Sequence, residues 1–314
     1  MECRPPASPG RGDVLVRVES VGICGTDLTA WSGRDARMAA GTVVGHEFGG
    51  VVVEVGQDVT DRVEGQSVAV DPNEVCERCD ACATGSRGVC GRRRLMGVDI
   101  DGGLQRYLQV AALRTVVVPG TPDPRSLSLV EPIAVGVHAC DRAGVGGGVS
   151  VGIVGGGPIG MGCALHAQVL GARDVTVVEP DLRRREAAVE RGLLAIAPGS
   201  TPDRSWDVVI DTVGTQATIA AASASAERGA TICVVGLSHD AAMPAPDDLV
   251  RRELSIVGSF CYRRVDLEMA ARLVAERGLA SLPVDLIEGF EQAPSAFAAL
   301  ERGDLGRGKT VLLP

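Results

Sequence analysis

The sequence predicts an α/β chain of two domains, a small β-barrel followed by a doubly wound parallel sheet. Three observations predict this class. The first third is β-rich and punctuated by glycine, strands alternate with helical segments from about residue 131, and a glycine fingerprint sits at a strand-to-helix junction near residue 155. The length of 314 residues agrees, because a domain takes roughly 100 to 200 residues. At 45% hydrophobic residues the chain has material for sizeable cores and is not disordered. A formal charge of −9 and only 3% aromatic residues exclude a basic nucleic-acid surface and a base-stacking platform, so no nucleic-acid partner is expected. Lys309 is the only lysine, which narrows any amine chemistry to one position.

Residues 13–19 alternate at period two, and 50–55 and 66–70 are further strands, separated by Gly, Asp and Pro. The glycines supply the turns and bulges that a small barrel needs. Residues 71–94 are polar and cysteine-rich and read as a lobe rather than core. Residues 110–118 return to strand character, and 120–124, rich in Pro and Gly, read as a connector. A helix begins near Glu131, with Pro132 at its start. Strands follow at 149–154, 175–179, 208–211 and 231–235, with helices at 160–170, 183–191 and 217–226 between them. A helix over 266–277 and a strand over 309–313 close the chain. The domains are expected at 1–119, carrying the lobe, and at 120–262, with 263–314 as a terminal segment. Residues 149–172 are almost uncharged and space Gly152, Gly156 and Gly160 like a membrane helix, but Pro158, His166 and Gln168 interrupt them. A strand, a turn and a helix fit better, so no membrane partner is expected.

The run from Gly155 to Gly160 fits G-x-G-x-x-G, and it follows an apolar strand and opens a helix. Gly155 permits the tight turn, Gly157 admits a pyrophosphate to the backbone, and Gly160 lets helix and strand pack closely. Glu179 ends the next strand, where it can bind both ribose hydroxyls. Its charge repels a 2′-phosphate, which favours NAD over NADP. The rival reading is a glycine turn without nucleotide. Residues 303–310 match the phosphate-loop pattern letter by letter, but too few residues follow Thr310 to make the required helix. They read as a surface turn entering a final strand.

Ten cysteines are present, and four of them, Cys76, Cys79, Cys82 and Cys90, fall within fifteen residues. Residues 1–12 lack an apolar signal-peptide core, so a reducing cytoplasm is expected, where clustered cysteines are metal ligands before disulfides. Four thiolates suit a closed, structural zinc. The iron–sulfur alternative departs from the ferredoxin spacing after the third cysteine, and an empty or redox loop is the remaining reading.

Gly22-Ile-Cys24-Gly-Thr26-Asp27-Leu28, Gly45-His46-Glu47-Phe48-Gly49-Gly50, the four-cysteine lobe, Glu131 to His138 and Gly155 to Gly160 occur in an order that resembles the zinc-dependent medium-chain dehydrogenases. The likeness is greatest to the polyol, butanediol and threonine dehydrogenase branch, in which the stretch Gly258–Tyr262 also fits. The resemblance implies a GroES-like catalytic barrel, a Rossmann domain, a terminal segment returning to the barrel, and oligomers of two or four chains. It implies a catalytic zinc held by Cys24, His46 and Glu131, in addition to the structural one, with Glu47 beside it or exchanging onto it. One thiolate, one imidazole and one carboxylate leave a fourth position open, as a catalytic zinc requires. Thr26 would accept the substrate's hydroxyl proton, and Asp27 would orient His46. Gly155, Gly157, Pro158, Ile159, Gly160, Glu179 and Arg184 would bind NAD, with Arg184 over the adenine. Each residue also has a plain structural reading: Cys24 as a small buried hydrophobe, His46 as a satisfied core histidine, Asp27 as a turn residue, Glu131 as a helix-start charge, Arg184 as a solvated helix face.

The function implied is hydride transfer between NAD(H) and a secondary alcohol or ketone such as a polyol, sugar, cyclitol or amino alcohol. The alternative is a non-catalytic NAD-binding relative with a regulatory role. Thr29 stands where the family often has a relay histidine. Trp31, Phe48 and Phe260 read as core residues before pocket walls.

Overall fold

The computed structural model describes residues 8–200, 205–238, 244–305 and 308–314. Cys3 and the Gly306-Arg307 pair of the glycine-rich turn lie outside the described residues. The chain forms two compact units, one running to Glu131 and resuming with Arg263–Pro314, the other spanning Pro132–Tyr262.

The first unit is built on β1 (Asp13–Gly22), whose Val14, Val16, Val18 and Val21 are buried. β2 (Glu47–Val55) pairs with it antiparallel along its length, with register shifts after Leu15 and Val18. Such bulges bend a strand and increase its twist. As a result the other edge of β1 changes partner: Asp13–Arg17 pair with β6 (Tyr107–Ala111), and Val21 and Gly22 pair with β15 (Lys309–Leu313). β3 (Ser67–Val70) and β7 (Thr115–Val117) extend the sheet beyond β2, and β14 (Val284–Glu288) lies parallel to β15. Phe48, Val52, Val68, Val70, Met96, Leu108 and Val110 fill the interior with the β1 valines. The lobe is pinched off by the short pair β4 (Asn73–Glu74) and β5 (Arg94–Leu95).

Three features differ from expectation. Residues 110–118 are two strands, because the chain turns through Ala112–Arg114 to change partner from β1 to β3. Residues 120–131 belong with the first unit rather than the second. Their helical turn Pro124–Leu129 buries Leu127 and Leu129 completely, and Ser20 Oγ donates to the Pro124 carbonyl at 3.0 Å while accepting the Ser128 amide. The helices α1 (Gly25–Trp31) and α9 (Ala293–Arg302) are additional to the expected elements; each is short, with seven and ten residues. Between them in the chain, α2 (Asp80–Ala83) lies in the lobe, α3 (Val130–Arg142) leads into the second unit and α8 (Arg264–Arg277) leads out of it.

The second unit is a six-stranded, fully parallel sheet of β8 (Ser150–Val154), β9 (Asp174–Val178), β10 (Leu194–Ile196), β11 (Trp206–Asp211), β12 (Ala226–Val234) and β13 (Ser255–Gly258). Their order, β10-β9-β8-β11-β12-β13, reverses direction at β8, the doubly wound arrangement that places ligands at the switch point. Helices α4 (Pro158–Val169), α5 (Leu182–Val189), α6 (Gln216–Ser225) and α7 (Pro246–Arg252) make the crossovers. Val151, Ile153, Val209, Ile210 and Ile232 are fully buried, as expected of a sheet covered on both faces. The edge strands β10 and β13 are too short, at three and four residues, to show a period in sequence. No helix among the described residues is long and apolar enough to cross a membrane.

Asp207 ties β11 to β8: its carboxylate accepts the Ser150 amide and hydroxyl, both at 2.8 Å, with Arg173 at 3.4 Å. The Ser150 amide, then its hydroxyl, hold this carboxyl below its ordinary value. A depressed carboxylate stabilises the fold above its unfolded pKa, and that stability is lost as pH falls through the folded value. Asp207→Asn is therefore expected to lower the denaturation midpoint at pH 7, with the difference from wild type shrinking below about pH 4. Urea melts at pH 7 and pH 3 check this.

Candidate active site

The site grows from the end of β1. Gly22 ends that strand, and Cys24 caps α1, where its amide donates to Asp27 Oδ2 at 2.9 Å. An acidic residue at this helix position satisfies an amide that would otherwise be orphaned. Asp27 Oδ1 accepts from His46 Nδ1, also at 2.9 Å. Asp27 is fully buried and His46 nearly so. With the proton on Nδ1, His46 presents Nε2, the nitrogen a metal would use. Glu47 follows on β2, and ligand atoms of Cys24, His46 and Glu47 all lie within 4.8 Å of one another.

Lys309, the first residue of β15, reaches the Glu47 carboxylate, and both side chains are almost wholly buried. A Cβ at Gly22 would collide with the Glu47 carboxylate and the Lys309 stem, so the glycine makes room for the pair. Burial opposes the charge on Lys309, but Glu47, and Cys24 behind it, outweigh burial and hold the ammonium above its usual value. Burial also opposes charging His46, yet Asp27 and Cys24 hold it well above the ordinary histidine value.

The three donors could hold one metal ion, and their mixture of sulfur, nitrogen and oxygen suits zinc. Glu131, expected as the third ligand, stands half-buried at the second residue of α3, and its carboxylate is not among the atoms that close together. The carboxylate that closes with Cys24 and His46 is that of Glu47. The signal was in the sequence, since Glu47 directly follows His46, but adjacent residues on a strand point to opposite faces. Thr26 lies on α1 two residues beyond Cys24. Thr29 turns its hydroxyl to its own helix and donates to the Gly25 carbonyl at 3.0 Å. Phe48 is core, as expected, whereas Trp31 and Phe260 are 46% and 41% exposed, contrary to the core reading. Trp31 packs on Phe297 of α9 with ring centroids 5.1 Å apart. Lys309 starts the expected terminal strand, and its pairing with Glu47 has no signal in the sequence.

In the lobe, neighbouring sulfurs of Cys76, Cys79, Cys82 and Cys90 lie 3.5, 3.6, 3.8 and 3.9 Å apart. Tetrahedral zinc with bonds of about 2.3 Å needs sulfurs about 3.8 Å apart. The spacing thus fits one zinc, whereas a cluster standing between the sulfurs would need them wider. The Arg78 amide and the Arg92 guanidinium draw the Cys76 thiol down to about 5. Burial, reinforced by Cys79 and Cys90, pushes Cys82 up to about 12.

In the second unit, Gly155 takes φ +99°, the left-handed turn expected of it. A Cβ on Gly160 would strike the Gly155 carbonyl, whereas one on Gly157 would meet nothing. Pro158 and Ile159 open α4, whose N-terminal amides favour phosphate. Glu179 Oε2 accepts the Gly156 amide at 2.7 Å and Oε1 the Asp181 amide at 2.9 Å, so the acidic residue is drawn onto the glycine loop. Arg184 caps against Asp181 through its amide, with its guanidinium 4.0 Å from Glu179.

A sulfur–imidazole–carboxylate donor set on a curled barrel, and a glycine-loop parallel sheet in the same chain, define a metal-dependent nucleotide oxidoreductase. Comparison with known families agrees: the alcohol dehydrogenase GroES-like domain matches residues 10–120 and the zinc-binding dehydrogenase domain residues 158–276. The chain is 33% identical over 279 residues to L-galactonate-5-dehydrogenase of Escherichia coli K12, covering 85% of this chain and 82% of the relative. It is 31% identical to sorbitol dehydrogenase of Gallus gallus, covering 97% and 90%. A zinc-binding dehydrogenase from Sinorhizobium meliloti 1021, solved with NADP, superposes with TM-score 0.89 at 30% identity, covering 99% of this chain and 94% of that one. The chain belongs to the zinc-dependent medium-chain dehydrogenase family, in its polyol dehydrogenase-like branch. It is an oxidoreductase that uses zinc and a nicotinamide cofactor on a small-molecule alcohol.

Cys82→Ser is expected to remove one zinc per chain and lower the melting temperature by several degrees, because the lobe's remaining sulfurs cannot close a shell. Metal analysis with calorimetry checks both.

Proposed function

We propose that this protein oxidises a secondary alcohol of a polyol or sugar acid with NAD, using a zinc held by Cys24, His46 and a carboxylate. The observation carrying this reading is the convergence of those donor atoms within 4.8 Å around a histidine oriented by a buried aspartate. The relatives' names, a galactonate and a sorbitol dehydrogenase, support the substrate class.

When bound, zinc supplies Lewis-acid polarisation of the substrate oxygen, and the nicotinamide supplies the hydride acceptor. Cys24, His46 and Glu47, with Glu131 as the alternative carboxylate, form the metal shell. Asp27 fixes the His46 tautomer and ring. Thr26 would take the proton of the alcohol's hydroxyl and pass it toward water as the hydride leaves for the nicotinamide. Thr29 commits its hydroxyl proton to the Gly25 carbonyl of its own helix. Gly155, Gly157 and the first turn of α4 with Pro158, Ile159 and Gly160 cradle the pyrophosphate. Glu179 leaves the Gly156 amide to hold both ribose hydroxyls, and Arg184 covers the adenine. A second zinc in the lobe is structural. The second unit exposes Leu182, Val189 and Leu194 on its surface, which supports assembly as a homodimer or homotetramer. The free thiols support a cytoplasmic setting.

The test is a screen of polyols and aldonates followed by NADH absorbance, with and without a chelator. Cys24→Ser is expected to abolish turnover while NAD still binds by calorimetry, and retained kcat refutes the zinc role. Glu179→Ala is expected to raise KM for NAD by about tenfold, the loss of a charge-assisted hydrogen bond, and to narrow the preference over NADP.

A further inference from the structure

β7 ends the barrel sheet beyond β3, and α8 packs against it. A cavity of about 350 Å³ opens there, with Val116 and Val117 of β7 on one side and Arg264, Glu268 and Arg272 of α8 on the other, and Arg62 between. All of these residues belong to the first unit. The volume falls in the range of small-molecule sites, about 300 to 1,000 Å³.

Two of the arginines are held by the fold. The Thr115 carbonyl accepts from Arg62 at 2.7 Å and from Arg264 at 2.9 Å, which brings two like charges onto one oxygen. Arg62 is buried and makes four hydrogen bonds, to Thr115 and Asp61. Arg264 makes three, to Glu268, Leu113 and Thr115. A guanidinium offers five N–H groups, so neither is exhausted. Arg272 stands two turns beyond Arg264 on the same helix face, one turn past Glu268. It has no hydrogen-bonded or ion-paired partner among the described residues. Three guanidiniums therefore face two carboxylates, those of Glu268 and Asp61, and leave an excess positive charge in a chain whose formal charge is −9.

We propose that this cavity binds the phosphate group of a small molecule, with Arg272 as the principal ligand and the unspent N–H groups of Arg62 and Arg264 beside it. A phosphate brings more acceptor oxygens than a carboxylate to this surplus of donors, and its charge relieves the crowding of the two guanidiniums on Thr115. The apolar wall of β7 takes the carbon skeleton of an ester.

Calorimetry on the full chain tests this, at constant ionic strength and with NAD saturating so that the glycine loop is already filled. Glycerol 3-phosphate, inorganic phosphate and acetate are the probes. Wild type is expected to bind one phosphate-bearing molecule per chain and acetate at least tenfold more weakly. Tighter binding of the ester identifies an ester as the occupant, and equal binding identifies the free ion. Arg272→Ala, at an exposed position without an internal partner, is expected to weaken binding at least tenfold while turnover without phosphate stays unchanged. Glu268→Gln, which keeps an acceptor for Arg264 but removes the competing charge, is expected to tighten binding severalfold. No phosphate binding in wild type, acetate binding as tight as phosphate, or unchanged affinity in either variant overturns the proposal.

Discussion

The buried carboxylate of Asp27 is the contact on which the active site depends. One oxygen takes the Cys24 amide at the start of α1 and the other takes His46 Nδ1. A single side chain thus starts a helix, places a thiol at its cap and orients a ring brought in from β2. The bond to His46 is buried and the bond to the Cys24 amide partly so, and losing the first would leave a polar group orphaned. The same interaction that stabilises the turn selects the imidazole nitrogen that faces a metal. Structural economy and chemistry coincide in one residue of the first unit.

The two donor clusters pose opposite electrostatic problems. The lobe crowds four sulfurs at tetrahedral spacing on a short loop, and nearby Arg78 and Arg92 draw Cys76 toward the thiolate. Its shell is complete with the residues it has. The barrel site instead mixes donor types, and its three converging donors fall one short of a tetrahedral shell. Completeness suits a site that only holds structure, whereas incompleteness suits one that must admit a ligand.

Much of this was legible in the chain. The strand alternation of residues 13–19, the glycine run from Gly155 to Gly160 and the spacing of the four cysteines carry local physics that tertiary context did not override. Cys24, His46 and Asp27 were legible through their order. Which carboxylate closes with them was not, because choosing between Glu47 and Glu131 requires knowing where the start of β2 and the start of α3 fall in space. The partner of Lys309 was illegible for a different reason: its strand was expected, but Glu47 lies across the sheet, a pairing set by the match of β15 to the end of β1. The two strands expected as one at 110–118 fail likewise: partner exchange leaves no trace in composition. Trp31 and Phe260 were read as core because large aromatics usually bury, but the folded units leave both partly in solvent.

The first unit is discontinuous along the chain, with about 130 residues of the second unit inserted before β14 and β15 return to it. During synthesis, Cys24 and His46 emerge early, while the strand bearing Lys309 emerges only after the inserted unit. The nascent barrel therefore carries a pair of soft ligands long before their counter-charge arrives. Its sheet stays unclosed along the edge of β1 that β15 later covers. Chaperoning of that bare edge, and of the metal it can capture prematurely, is a problem that this topology imposes on the ribosome-bound chain.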